Sequence, residues 1–150
     1  MVFSLWFLVV ASSSTFPFMA TITKFEELEI WKLTKNLYIK VSAIAERLRN
    51  KKEFRFAEQI KSAAGSAMDN IAEGFERSSR LEFLNSLSIS KGELGELKSQ
   101  LYRCASDNYI SQEEFAELYL ETDIACRKIA SFIIYLNTSK LKGLKFKDRS

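Results

Sequence analysis

Apolar residues recur at alternating spacings of three and four from Ile30 to Leu136, and short polar stretches divide that pattern into four blocks. The first block carries Ile30, Leu33, Leu37, Val41, Ile44 and Leu48 and ends in Arg49-Asn50-Lys51-Lys52. The second carries Phe56, Ile60, Ala64, Ala67, Ile71 and Phe75 and breaks at Arg77-Ser78-Ser79, where a serine can cap the helix that follows. The third runs through Phe83, Leu87, Ser90, Leu94, Leu97, Leu101 and Cys104 and stops at Asp107-Asn108. Ser111 with Glu114 three residues on forms a capping-box signal, and Phe115, Leu118, Thr122, Ala125, Ile129, Phe132 and Leu136 complete the fourth. Each block is the pattern of a helix with one buried face.

No proline interrupts the four blocks; the one proline, Pro17, precedes them. Each predicted helix is roughly 22 to 28 residues, or about 33 to 42 Å. Short links between helices of similar length favour antiparallel neighbours, so the expected fold is all-α, an up-down-up-down four-helix bundle. A seam of period near 3.5 predicts shallow left-handed crossings. The bundle is expected over residues 24–138, with an N-terminal extension over 1–23 and a basic tail over 139–150.

Composition narrows the chemistry. A chain of 150 residues, 47% hydrophobic and 27% charged, is one globular domain and too apolar to be disordered. It has no histidine, which excludes Ser-His and Cys-His nucleophile pairs, His-liganded zinc or haem, and di-iron bundles of the Glu-x-x-His kind. Its two cysteines, Cys104 and Cys126, make neither a disulfide framework nor a Cys-rich metal site. They are expected as buried free thiols in a reducing cytoplasm. No cofactor is implied.

The net charge of +3 is unevenly placed. Lys140, Lys142, Lys145, Lys147 and Arg149 against Asp148 give the tail +4, which leaves the rest of the chain at −1. The chain is therefore basic through its tail, and composition alone is a weak argument for nucleic acid. At the other end, Met1 to Phe18 has no charged side chain, yet its apolar run Val2 to Ala11 is about half of what a membrane span needs. The run has the length of a secretory signal core but lacks the preceding Lys or Arg. Met19-Ala20-Thr21 reads as a natural start, which would make the upstream residues an extension; no membrane association is expected.

Two features exceed what a bundle needs. Gly65, Gly74, Gly92 and Gly95 lie inside predicted helices, where each glycine costs about 1 kcal/mol relative to alanine. On the third helix Asn85, Ser88, Gly92, Gly95 and Ser99 form a second seam, about 200° from the apolar one. A strip of small residues admits another helix backbone closely, so self-association along this face is expected; the plainer reading is a solvated strip. On the second helix Ser66, Asn70, Glu73 and Arg77 stack on one face. They read either as a solvated face with a Glu73–Arg77 pair, or as a polar seam at a subunit contact or at the turn into the third helix. A small-molecule enzyme using Asn70, Glu73 and Arg77 is the remote alternative, since no base stands beside a nucleophile.

The run Asn70-Ile71-Ala72-Glu73-Gly74-Phe75 with Arg77 follows Gln59-Ile60 and Ala63-Ala64 and precedes Gly92, Glu96 and Leu97. It resembles the signature of the four-helix-bundle protein family, whose members are encoded in intervening sequences of large-subunit ribosomal RNA. Trp31 within Phe25-Glu26-Glu27-Leu28-Glu29-Ile30 matches the family's opening, and the resemblance extends to Leu136. Ser62 stands where the family often has arginine and Met68 where it often has proline, which weakens a phosphate role at the first and suggests a straighter second helix at the second. The resemblance implies a four-helix bundle, usually a homopentamer, without known enzymatic activity. A related branch, the accessory protein of diversity-generating retroelements, binds nucleic acid and a reverse transcriptase through basic surface.

In an up-down bundle Arg77, Arg80, the start of the first helix and the tail share one end, while Lys51, Lys52 and Arg55 lie at the other. The candidate nucleic-acid contacts are therefore Arg77, Arg80, the five tail cations, Lys51, Lys52 and Arg55. The expected function is a non-enzymatic oligomeric adaptor that associates with RNA or DNA, and with a reverse transcriptase or other protein. The alternative is a structural or protein-interaction scaffold with no nucleic-acid role.

Overall fold

The computed structural model describes residues 22–138. Four helices follow one another: α1 (Glu29–Asn50), α2 (Phe54–Glu76), α3 (Arg80–Ser106) and α4 (Gln112–Thr138), with a single 3-10 turn, Phe25–Glu27, before the first. No strand occurs among the described residues. The four predicted blocks each form one helix, and their stripes become one core: Val41, Leu48, Ile60, Ala67, Ile71, Leu87, Leu94, Leu97, Leu101 and Ile129 are fully buried.

Local chemistry sets the helix ends. Ser79 caps α3 by accepting a hydrogen bond from the Glu82 amide, and Ser111 does the same for Glu114 at 3.1 Å. α1 and α3 close in the same way, with a left-handed residue just past the cap: Lys52 at φ 64° and Asn108 at φ 58°. The Lys52 amide donates to the Arg49 carbonyl and the Glu53 amide to Leu48. At α3 the Asn108 amide donates to Ala105 and the Tyr109 amide to Cys104. These are paired bonds of the Schellman type, which satisfy carbonyls the helix end leaves open. The turn between α2 and α3 places Ser78 at φ 56°.

Each helix packs on its neighbours in sequence, and α1 closes the bundle against α4. The α2–α3 contact is the most extensive. Gly74 of α2 lies against Ser86 and Phe83 of α3, and the buried Ser90 hydroxyl crosses the seam to donate to the Ala67 carbonyl at 2.6 Å. The α1–α4 seam is the sparsest, and ion pairs span its outer edge: Glu29 with Lys128, Lys40 with Glu117 and Glu121, and Arg47 with Glu114. The aromatic residues Phe75, Phe83 and Phe132 join edge to face at the end where α2 turns into α3, with centroids 5.9 and 5.6 Å apart.

Cys104 and Cys126 are both buried free thiols. Burial pushes the Cys104 thiol up to about 11 and raises that of Cys126, which leaves both largely unionised at neutral pH.

Candidate interaction surfaces

The polar stripe of α2 resolves into bonds made within the chain. Asn70 and Ser66 are half-buried, and the Asn70 side-chain amide donates to the Ser66 carbonyl of its own helix at 2.8 Å. Glu73 is exposed and pairs with Arg77, whose other guanidinium nitrogen reaches Glu82 of α3 at 3.2 Å. The two carboxylates hold the Arg77 charge, first by the hydrogen bond to Glu73 and then by that to Glu82. Of the two sequence readings of this stripe, the structure shows a clasp over the α2–α3 turn at its Arg77 end and a solvated or self-bonded face elsewhere. Serine, amide and carboxylate do not converge on a common point through any bond between them.

The four helical glycines divide into two kinds. A Cβ on Gly74 would lie 2.5 Å from the Ser86 Cβ, 2.8 Å from its Oγ and 3.0 Å from a Phe83 ring carbon. Gly74 is thus required by the α2–α3 contact, and its presence needs no second subunit. At Gly65 a Cβ would meet only the Tyr38 ring, at the ordinary distance of 3.5 Å. That ring, with Lys61, Ser62 and Met68, lines an open cleft of about 500 Å³ between α1 and α2. A Cβ on Gly92 or Gly95 would meet nothing within 4 Å among the described residues. Asn85, Ser88, Gly92, Gly95 and Ser99 are all exposed and lie on the side of α3 opposite the core. Leu81 at the start of α3 and Ile89 beside the strip are exposed as well.

α3 also carries polar groups, withdrawn from solvent, that the sequence reading missed. Gln100 is 3% exposed; its Nε2 donates to Glu96 Oε1 at 2.9 Å, while its Oε1 is buried with no hydrogen-bond partner. Glu93 on the same helix is half-buried, and burial, then the Glu96 charge, push its carboxyl above the ordinary range. Gln100 falls beside the buried Leu101 at a core-flanking position, and its burial is set by how closely neighbouring helices pack, which spacing along α3 does not encode.

The basic candidates separate by how they are employed. Arg80 turns back to donate from Nε to the Leu136 carbonyl at 2.7 Å and from Nη2 to Asn137 at 3.2 Å, which caps α4, a helix with no basic residue of its own in the last turn. Arg77 is engaged as above. At the opposite end Arg47 pairs with Glu114, and Arg49 with Glu46 and Glu58. Lys51, Lys52 and Arg55 are exposed, and among the described residues they form no ion pair. α2, which follows Lys51 and Lys52 and carries Arg55 in its first turn, starts without a side-chain cap and without an acidic residue in that turn. Lys140, Lys142, Lys145, Lys147 and Arg149, and the N-terminal extension, lie outside the described residues.

Among the described residues no group of three or more His, Cys, Asp or Glu side chains could hold a metal ion, and no helix is long and apolar enough to cross a membrane.

The sequence model of the 23S rRNA-intervening sequence protein family matches residues 26–131, the span of the helices from the opening turn to near the end of α4. The chain belongs to the 23S rRNA-intervening sequence protein family. A solved structure is similar to this member: a protein with unknown function from the S23 ribosomal protein family of Bacteroides thetaiotaomicron. It is 24% identical, with a TM-score of 0.66, over 69% of this chain and 97% of that one. At that identity the likeness bears on the fold. No curated protein matches the chain.

Proposed function

We propose that this family member is the subunit of a homo-oligomer, a pentamer by the resemblance, that serves as a non-enzymatic adaptor for nucleic acid or a ribonucleoprotein in the cytoplasm. The observation that carries the reading is the outer face of α3. Two glycines stand there in open space, where no packing within the subunit excludes a side chain. Each weakens its helix by about 1 kcal/mol relative to alanine, a cost that a closely approaching second backbone would offset. The exposed Leu81 and Ile89 add apolar area next to the strip.

Association with nucleic acid is supported by the unpaired cations Lys51, Lys52 and Arg55 and by the tail, whose charges assembly would multiply. The scaffold reading draws on a different observation: Lys40, Arg47, Arg49, Arg77 and Lys98 are each neutralised by a carboxylate of the same chain. Titration of labelled RNA and DNA with the purified full chain, at rising salt, separates the two. The adaptor reading predicts binding whose affinity falls steeply with salt. Absence of binding to either at low salt leaves the scaffold.

A further inference from the structure

We propose that the α1–α2 end, formed by Lys51, Lys52, Phe54 and Arg55 with Arg103 of α3, binds single-stranded nucleic acid, the cations holding phosphates while the Phe54 ring stacks on a base. The inference rests on the nucleic-acid reading above and goes beyond it by naming the strand type and the place.

Phe54 opens α2 and is 60% exposed, whereas Phe56, two residues on, is buried. The Arg103 guanidinium lies over the Phe56 ring at 4.0 Å from its centroid, which brings the end of α3 against the start of α2. A cation thus covers the inner ring and leaves the outer one bare. An exposed phenylalanine loses the gain of burial, and nothing within the subunit recovers it. Lys51, Lys52 and Arg55 flank that ring in sequence, are exposed and form no ion pair among the described residues.

Of the acids at this end, Glu46 and Glu58 are held by Arg49, and Glu114 by Arg47. Glu53 accepts a hydrogen bond from the Tyr109 hydroxyl at 2.8 Å, a neutral donor that does not offset a carboxylate's charge. Asp107 and Glu113 lie at the α3–α4 turn.

The cations alone would suit any phosphate backbone. The ring decides between strands, because a duplex hides its base faces in the stack and a single strand offers them. Charge and an exposed aromatic within one turn of chain are the two elements by which sequence-tolerant single-strand binders work.

The test is fluorescence anisotropy on the full chain with a labelled uridine 20-mer and an RNA duplex of equal length, across a salt series. The single strand should bind more tightly than the duplex. Phe54→Ala should weaken single-strand binding about ten-fold or more, and Phe54→Trp should retain it, with its indole fluorescence quenched on binding. Lys51→Ala with Lys52→Ala should lower the salt slope by roughly one to one and a half units. All these positions are exposed, so melting by circular dichroism should confirm that each variant folds. Equal affinity for strand and duplex, or binding that ignores Phe54→Ala, would overturn the proposal. If those variants bind as wild type while deletion of residues 139–150 abolishes binding, the nucleic-acid reading survives and this site is wrong. If neither probe binds the wild type at low salt, the reading beneath it fails too.

Discussion

Gly74 and Gly92 look alike in the sequence, as helix-interior glycines beside polar neighbours, and the structure gives them opposite roles. Alanine at Gly74 would press into Ser86 and Phe83, buried contact residues of α3 that have little room to retreat. Gly74→Ala should therefore destabilise the fold by about 1 to 3 kcal/mol in urea melts, despite alanine's better helix propensity. Spacing along one helix cannot separate the two cases, because what decides is the distance to the next helix. The thiol of Cys104 makes a prediction of the same scale. Burial raises its pKa from the ordinary 9.0 to about 11, so the unfolded chain releases this proton first as pH rises. The Cys104 contribution to stability is then intact below pH about 9 and lost as pH climbs toward 11. Wild type should lose stability more steeply across that window than Cys104→Ala, and the native thiol should resist alkylation at neutral pH until the chain unfolds.

Element by element, most of the architecture was legible. The apolar stripes, the serines before α3 and α4, and the stop signals at Lys51-Lys52 and Asp107-Asn108 place all four helices, because helix periodicity and capping are local chemistry. Functions that reach across the chain were not. Arg80 reads as a phosphate candidate from its neighbours Arg77 and the tail, yet it caps the carbonyls of Leu136 and Asn137, which lie 56 and 57 positions away in sequence. Arg80→Ala should accordingly loosen the last turn of α4, visible as faster amide exchange there, with a loss of about 1.5 to 3 kcal/mol at most for charged hydrogen bonds. Lys52 offers the converse. Lys52→Gly relieves a left-handed lysine and should raise stability by about 1 kcal/mol, while removing one of the free cations.

At the scale of the whole molecule, the α1–α4 seam that closes the bundle is the smallest helix contact, and ion pairs line its outer edge. Glu29, Asn36, Lys40 and Arg47 of α1 face Lys128, Glu121, Glu117 and Glu114 of α4, a ladder set by polar flanks of two helices far apart in sequence. Exposed pairs of this kind contribute about 0.2 to 1 kcal/mol each, so Lys40→Ala should move a melting curve only slightly. The Arg47 guanidinium holds the Glu114 carboxyl below its ordinary 4.5, mainly by their hydrogen bond. That contribution is present above pH 4.5 and is lost as pH falls through the lowered value, so acid should weaken this seam.

The outer face of α3 carries the proposal for the whole molecule. Light scattering on the full chain and on a Gly92→Leu, Gly95→Leu variant tests it most directly, because a side chain at either position meets nothing within 4 Å inside the subunit. The account predicts a wild-type mass several times 17.2 kDa, and a variant that stays helical but falls toward the mass of one chain. A wild-type chain of single mass, or a variant that assembles as wild type does, would contradict it.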